Sequence, residues 1–540
     1  MKEKDVMGFD TNTYRIAKLN PVQRMVYDAV LRSSVRGRCP RAFEDRRTQM
    51  SNALTPQNLT TNPSSIDLDQ IQGDVLIGLQ KFAEQFLFFE IKDVPGFKAL
   101  LRKKIANLLT TTRTVKEREF HLRDHKDQGN TSPLPNIGLN LSFTASGIGK
   151  LLPATNNGQT LSDPSFTAGA KSQAKSLGDP VDAAGNPTTW LPQFLNATID
   201  GVFLITGGTD QDVNAEANKL LGILGATVAT SFQENGDVRP GLQKGHEHFG
   251  WLDGVSQPGI SGLSTPFPGQ RLLDPGFFAF GYGPTANPPL PWMKNGSFMV
   301  FRRLKQLVPE FDQYQLTQAA TLGIDPVLLG PRLVGRWKSG APLALTPSQD
   351  DSTMGPDPQR NNNFDFSDDQ GERRCPFGAH IRKTNPRADF GLPNSAGVDP
   401  QTTDVDPHRI IRAGIPFGPE VTVAEAANGK TATDRGLIFV CYQTSIPSQF
   451  EFVQIKWANN TGFIFGKKHP DGTPVTVGFD PIIGQNGSLN RTRTTDEPVP
   501  NYPTGNVRST LNEPNDFVIP TAAGYFFVPS IEALTNELSA

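Results

Sequence analysis

Residues 201–234, GVFLITGGTDQDVNAEANKLLGILGATVATSFQE, contain the pattern on which the fold prediction rests. GVFLITG is a short apolar run typical of a strand, and ATVATSFQE is a second one. Between them, apolar side chains recur on one helical face, at Val213, Ala217, Leu220, Leu221 and Leu224. The stretch therefore predicts a strand, an amphipathic helix and another strand.

The segments before this stretch extend it to a six-element pattern. IQGDVLIGL (71–79) and FLFFEI (86–91) are strand-like apolar runs, and GFKALLRKKIANLLTTT (96–112) has helical periodicity. LNLSFTASGIGKLL (139–152) is a strand that continues into a helix. The order of strand, helix, strand, strand, helix, strand is the split βαβ plan of a ferredoxin-like unit.

The second half of the chain repeats this plan. Strands are predicted in SFMVFRRLKQ (297–306), HRIIRAGIPFG (408–418), RGLIFVCYQ (435–443) and GYFFVPS (524–530). Helices are predicted in PEFDQYQLTQAATL, DPVLLGPRLVGRW, FEFVQIKWANN and IEALTNEL. The predicted fold is thus α+β, with two ferredoxin-like units of antiparallel sheets and peripheral helices in one chain, in a dimeric α+β barrel-like arrangement that leaves a cavity between sheet and helices.

We divide the chain into an N-terminal extension of unknown role (1–64), a first unit (65–240) and a second unit (241–540). Lys and Arg (52) nearly balance Asp and Glu (54), which argues against a nucleic-acid partner. No run of 18 apolar residues exists, so no membrane-spanning helix is expected. MKEKDVMGFD lacks the apolar core of a secretory signal, whereas several N-x-S/T sequons weakly favour secretion.

His380 has the best local support as a ligand among the seven histidines. It lies in RRCPFGAHIRKTNPR (373–387), where Pro376 is suited to open a helix and the Asn385–Pro386 step to end it. The segment therefore predicts a short helix that carries this histidine.

Such a helix would place Phe377, His380 and Ile381 on one face, with Arg382 among the cations around it. A heme needs an axial nitrogen, hydrophobic walls and positive partners for two propionates. The segment is thus compatible with a heme site in which His380 is the iron ligand and Arg382, with Arg373, Lys383 and Arg387, supplies the cations. From spacing alone, a packed structural histidine is the favoured interpretation.

Asp253 and Arg412 are the other two candidates. Asp253 lies in HFGWLDGVSQPGI (248–260) between two glycines, which fits an ordinary turn or a carboxylate held over a cavity. Arg412 lies in IIRAGIPFGPE (410–420), inside an apolar strand, where arginine is often the partner of a buried carboxylate or an anion. A solvated strand position is the alternative for Arg412.

Taken together, these motifs resemble the dye-decolorizing peroxidase family. GxxDG (250–254), CPFGAHIRKTNPR (375–387), IIRAGIPFGPE and RGLIFVCYQ follow in the family's order, over roughly residues 66–535. The resemblance is greatest to the fungal-type members. It implies a heme b peroxidase in which Asp253 is the distal acid-base, Arg412 stabilises charge and His380 is the proximal iron ligand.

The resemblance implies further site residues. Leu437 and Phe439 in GLIFV match the apolar distal wall, and Asp480 in GFDPIIGQ resembles the carboxylate that accepts the N–H of the proximal histidine. Trp457 in KWANN resembles the surface tryptophan through which some members oxidise bulky substrates. Where some relatives have a tyrosine five residues after the distal arginine, this chain has Phe417, so no second radical site is expected there.

The expected partners are hydrogen peroxide and aromatic small-molecule reductants, with the oligomeric state left open between monomer and homodimer. The family resemblance also favours secretion. One alternative function is a heme carrier or heme-iron extraction protein, which would keep His380 without needing Asp253 and Arg412. Another is a metal hydrolase that uses His246 and His248, two positions that share a face on a strand, together with Asp253.

Overall fold

The structure, a computed structural model, describes residues 66–128, 136–152, 163–393, 395, 399–469, 472–488, 493–501 and 505–540. The predicted extension, 1–64, lies outside the described residues. The predicted boundary at 240/241 falls between two strands and stays a prediction.

The first half contributes four strands: β1 (Ala83–Ile91), β2 (Gly138–Phe143), β3 (Gly201–Gly207) and β4 (Val228–Asp237). Its helices are α1 (Val94–Leu100), α2 (Thr112–Asp127), α3 (Ala145–Leu151), α4 (Pro164–Ala168), α5 (Ala170–Gln173), α6 (Pro192–Asn196) and α7 (Asp210–Leu224). A π-helical turn (Leu101–Ile105) and a 3-10 turn (Ala106–Leu108) continue α1.

The second half contributes β5 (Gly259–Ile260), β6 (Leu272–Leu273), β7 (Ser297–Gln306), β8 (Ile411–Arg412), β9 (Ile415–Phe417), β10 (Gly436–Gln443), β11 (Arg493–Asn501), β12 (Gly505–Glu513) and β13 (Val518–Val528). Its helices are α8 (Val308–Leu322), α9 (Pro326–Val334), α10 (His380–Thr384), α11 (Pro400–Asp404), α12 (Val423–Asn428), α13 (Phe450–Phe452, continued by a π-helix over Val453–Ala458) and α14 (Ile531–Thr535).

Helix α7 shows how the sequence specifies these elements. The Thr209 side chain accepts the Asp212 N–H and caps its start, and Gly225, with φ 52°, ends it. Val213, Ala217, Leu220 and Leu224 are buried, as their helical spacing predicts.

The segment 71–79 was wrongly predicted as a strand. Its backbone instead forms local turns, with the Asp74 N–H donating to Ile77 O at 2.9 Å and Asp74 at a positive φ of 71°. Short apolar runs cannot by themselves distinguish a strand from a buried turn.

One sheet joins the two halves, in the order β4-β1-β3-β2-β13-β7-β10-β8, with β9 paired to β10. In each half the core strands lie in the spatial order fourth, first, third, second, which is that of a ferredoxin-like unit. The two predicted α+β units with antiparallel sheets are therefore confirmed.

The sheet curls until its ends meet. A Cβ on Gly236 of β4 would lie 2.3 Å from Cγ2 of Ile415 in β9, so only glycine permits this approach. Inside, Phe86 and Phe88 from the first half contact Phe301 from the second, with ring centroids 5.1 and 5.4 Å apart. The core is thus shared between the halves, and the cavity lies on the outer face of β7 and β10. None of the described helices is long and apolar enough to cross a membrane.

Candidate active site

A cavity of about 280 Å³ brings the motif residues together. Strands β7 and β10 form one wall, and the loop around Asp253, helix α10 and the segment before β8 form others. Of the residues predicted from sequence, the following line it: Asp253, His380, Arg412, Leu437 and Phe439.

His380 begins helix α10 and is held by Asp480. Its Nδ1 donates to Oδ2 of Asp480 at 2.8 Å, while Oδ1 of Asp480 accepts the backbone N–H groups of Ile482 and Ile483 at 2.8 and 3.0 Å. Because a carboxylate only accepts, Nδ1 carries the proton and Nε2 is the nitrogen left to bind a metal.

The charges of this pair support each other. Burial disfavours the ionised form of Asp480. The electrostatic attraction to His380 and the hydrogen bonds that Asp480 accepts outweigh burial and lower the pKa of Asp480. For His380, burial acts against the cation, yet Asp480 raises its pKa. The imidazole keeps 26% of its side-chain surface accessible, whereas Asp480 keeps none.

Asp253 and Arg412 form an ion pair in the same cavity. Nη1 of Arg412 donates to Oδ1 of Asp253 at 2.9 Å, and Nη2 donates to Ser256 O at 3.1 Å. The Gly254 N–H also donates to Oδ1 of Asp253, at 2.6 Å. Gly250 and Gly254 have φ of 95° and 71°, values that a side chain would strain, so the glycines of GxxDG shape the turn that carries the carboxylate.

The pair keeps Asp253 ionised. Burial alone would raise its pKa, but Arg412 and the Gly254 N–H outweigh burial, so the pKa of Asp253 lies below its ordinary value. Its side chain is 36% accessible although it lies deep in the molecule, because it stands on the cavity wall. A carboxylate in this setting can accept a proton from a molecule inside the cavity.

Strand pairing places the apolar wall and Arg412. Leu437 and Phe439 alternate on one face of β10, with Leu437 opposite Leu304 and Phe439 opposite Arg302. Arg412 in β8 pairs with Cys441, two residues further along the same face. One sheet face therefore presents both the apolar surface and the cation.

Three arginines, Arg336, Arg387 and Arg409, form a cationic part of the lining. Burial and then the neighbouring charges of Arg336 and Arg409 depress the pKa of Arg387 well below its ordinary value. Burial, and after it the positive charge of Arg412, lowers the pKa of Arg336 to about 10. Within the described part of the chain, only Arg409 of these three arginines forms an ion pair, with Asp406 at 2.8 Å. This local excess of buried cations suits an anionic ligand group.

Arg382 was wrongly predicted to face the cofactor. Its guanidinium is fully buried away from the cavity and binds Asp389 at 2.7 Å and Asp369 at 3.1 Å. Helix α10 also begins at His380 instead of Pro376, so Phe377 precedes the helix and packs under the Arg382 guanidinium, 4.4 Å from the ring centroid to Cζ.

Trp457, which resembles the surface tryptophan of some family members, is buried in this chain, with 3% of its surface exposed. Its ring stacks on Phe463 at 5.3 Å and meets His408 edge to face at 5.3 Å. His408 lines the cavity, and Phe463 contacts Phe465, which is 61% exposed. Trp457 therefore lies inside an aromatic chain that runs from the cavity to the surface.

The metal-hydrolase alternative finds no support. His246 is half-buried and its Nδ1 contacts Lys244 O at 3.1 Å, whereas His248 is buried, with Nε2 donating to Phe417 O at 2.9 Å. Among the described residues, no cluster of three or more His, Cys, Asp or Glu side chains could hold a metal ion.

Sequence reasoning missed Arg336, Arg409 and His408 as cavity residues. Arg409 and His408 lie in the same HRIIR segment as Arg412, which could have pointed to them. Arg336 carries no motif, and only the fold brings it to the cavity.

The lining fits a heme. It offers an imidazole with Nε2 available, an apolar wall, and buried arginines without enough carboxylates to neutralise them, which are the partners that propionates require. A metal ion alone or a purely apolar ligand would supply no negative charge for these arginines.

The chain is similar to known proteins over most of its length. Residues 70–240 match the family described as the DyP dimeric alpha+beta barrel domain. The chain is 40% identical over 500 residues to Peroxidase 2 of Mycetinis scorodonius, covering 90% of both chains. It is 40% identical over 489 residues to the dye-decolorizing peroxidase of Exidia glandulosa, covering 88% of both.

A solved structure of a dye-decolorizing peroxidase in complex with 2,6-dimethoxyphenol superposes with a TM-score of 0.73. It shares 38% sequence identity and covers 88% of this chain and all of its own. The similarity to these peroxidases extends over nearly the whole chain. The chain therefore belongs to the dye-decolorizing peroxidase family and is a peroxidase.

Proposed function

We propose that this peroxidase binds heme b and uses hydrogen peroxide to oxidise dyes, phenols and other bulky aromatic compounds. A single observation carries the proposal: the Asp253–Arg412 ion pair and the His380–Asp480 pair line one cavity. The first pair supplies an acid-base group and a fixed positive charge, and the second supplies an oriented metal ligand.

In this proposal, Nε2 of His380 would hold the iron, and Leu437 and Phe439 would supply an apolar wall for the porphyrin. Arg387 and its cationic neighbours would bind the propionates. The heme, when bound, supplies the redox chemistry with peroxide and the one-electron oxidation of reductants. Asp480 fixes the tautomer of His380 and makes it a more electron-donating ligand.

Asp253 moves the proton that peroxide cleavage requires. The proton must pass from one peroxide oxygen to the other so that the second can leave as water, and a carboxylate ionised by Arg412 can accept it and return it. Arg412, anchored on Ser256 O, presents a preorganised positive charge for the oxygen that departs. Both groups lie on the cavity wall, within reach of a molecule inside it.

Two kinds of reductant follow from the geometry. We expect a small phenol, of the class of the 2,6-dimethoxyphenol in the relative's complex, to reach the edge of the bound heme. A bulky dye cannot touch a heme edge buried in this cavity, so its electron must pass through side chains. We assign this path to Trp457, with Phe463 and Phe465 on its outer side and His408 on its inner side.

The test uses the purified full chain after incubation with heme. We expect a Soret absorption band, followed by peroxide-dependent bleaching of an anthraquinone dye. A Soret band without any turnover would instead support the heme-carrier alternative, and the absence of the band would reject both.

A further inference from the structure

Two buried tyrosines, neither part of the mechanism above, each donate a hydrogen bond to a buried carboxylate. Tyr525 donates to Oε1 of Glu451 and Tyr442 donates to Oδ2 of Asp74, both at 2.8 Å. All four side chains are buried. A tyrosine held on a proton acceptor is suited to lose an electron and a proton together.

The two tyrosines lie on opposite faces of the sheet. A bulge between Pro520 and Ala522 shifts the alternation of β13, so that Tyr525 lies opposite Val300 in β7. Val300 alternates with Arg302 and Leu304 on the face that lines the cavity. Tyr525 therefore belongs to the cavity face.

Tyr442 lies opposite Met299, on the other alternation of β7. In β10 it is offset by an odd number of positions from Leu437 and Phe439, so it points to the barrel interior. The two tyrosines thus share one chemistry but differ in their access to the cavity.

Aromatic contacts link Tyr525 to the cavity wall. Its ring centroid lies 6.4 Å from that of Phe450, and Phe450 lies 6.1 Å from Phe439. Phe450 and Phe439 both line the cavity. One aromatic ring therefore separates Tyr525 from the space that the cofactor would fill.

Glu451 can take the phenolic proton. Loss of an electron alone would leave a positive charge in a buried, low-dielectric site, which is costly. Oε2 of Glu451 is held by the Ser165 hydroxyl at 2.7 Å, which leaves Oε1 directed at Tyr525. Burial, above all, raises the pKa of Glu451, and a more basic carboxylate accepts a proton more readily.

We propose that Tyr525 and Glu451 form a buried redox site that stores an oxidising equivalent produced by the peroxidase reaction. The Tyr525 O–H bond breaks, its proton binds Oε1 of Glu451, and one electron passes to the peroxide-oxidised cofactor, which is reduced by one electron. A neutral tyrosyl radical remains, and an external reductant restores it when the proton returns. The site rests on the proposed peroxidase function.

The test is electron paramagnetic resonance of the heme-loaded protein, frozen shortly after mixing with peroxide in the absence of reductant. Samples grown with ring-deuterated tyrosine distinguish a tyrosyl radical from a tryptophanyl radical at Trp457. The variants are Y525F, E451Q, which keeps the size of the acceptor but not its basicity, and Y442F as the matched control. The Soret band of each variant shows whether it still binds heme.

We expect a deuterium-sensitive radical signal in the parent and in Y442F, and its loss in Y525F and E451Q. Loss of the signal in E451Q, which keeps Tyr525 itself, tests the site even if Y525F does not fold. A signal that persists in Y525F or in E451Q, or a parent that bleaches dye without any tyrosyl signal, overturns the inference. A parent that does not oxidise dye at all instead rejects the proposed peroxidase function.

Discussion

The two aspartates of the cavity region, Asp253 and Asp480, differ in one physical respect. Each accepts a hydrogen bond from a basic side chain at 2.8–2.9 Å, and each has its pKa lowered by that partner against the effect of burial. Yet Asp253 keeps 36% of its side-chain surface accessible and Asp480 keeps none.

The difference separates a group that can react from a group that can only position another. Asp480 accepts hydrogen bonds from His380 and two backbone N–H groups, and its buried side chain cannot contact a molecule in the cavity. Asp253 has its remaining oxygen on the cavity wall. Similar ionisation therefore supports two different roles, and accessibility decides between them.

The largest effect should come from D253N. Asparagine keeps the size and can still accept from Arg412 and Gly254, but it cannot take a proton. The stopped-flow rate of the spectral change after mixing with peroxide should fall by about 100 to 10,000-fold, the usual contribution of a positioned base. Heme affinity should stay at the parent value.

A D253N protein that reacts with peroxide at the parent rate would show that another group or a water molecule carries the proton. Asp253 would then be only a turn residue of the GxxDG motif, and the distinction from Asp480 would fail.

The positioning role of Asp480 predicts the opposite profile for D480N. The amide nitrogen would donate to His380, so Nδ1 would have to accept and Nε2 would carry the proton, which leaves no lone pair for iron. Heme affinity, measured by titrating the apoprotein, should fall by about 10 to 100-fold. Unchanged affinity in D480N, or an equal loss in D253N, would contradict the assigned roles.

Local sequence patterns predicted much of the fold because each unit is built from them. The period of α7 and the apolar runs of β1, β3, β7 and β10 are set by which face each element buries. The pairing of β2 with β13 could not be predicted, since it joins segments separated by most of the chain and leaves no local signal.

The site shows the same limit at the level of side chains. The sequence located His380, Asp253 and Arg412, because each lies in a distinctive motif. It did not show which way a guanidinium points: Arg382 is adjacent to the ligand, but Asp369 and Asp389 bind it on the far side.

The ionisation of Asp253 predicts how the peroxide step depends on pH. The base works only when unprotonated, so the rate should fall as pH drops through its pKa, which Arg412 holds below the ordinary value of about 3.9. In R412Q the acid limb of the profile should move to higher pH, since the cation that lowers the pKa is gone. R374Q, which alters an arginine paired with exposed Asp368, is the control and should leave the limb in place.

The midpoint of the acid limb, not the absolute rate, is the quantity to compare, because Arg412 also stabilises the departing oxygen. A limb that stays fixed in R412Q would mean that Asp253 is not the titrating base.

The smallest effect, and the most selective, is expected from W457F. Trp457 is buried, stacks on Phe463 and meets His408 edge to face. No dye can therefore touch it, and it can act only as a relay from the exposed Phe465. Phenylalanine fills most of the space but is harder to oxidise, so turnover of a bulky dye should fall severalfold while that of a small phenol stays the same.

W292F, in which a tryptophan that packs on Phe527 is changed, is the control and should spare both substrates. F465L should lower only the dye rate if the outer end of the relay is correctly placed. Equal loss of both substrates in W457F would indicate that Trp457 supports the wall beside His408, and a full dye rate would remove it from the electron path.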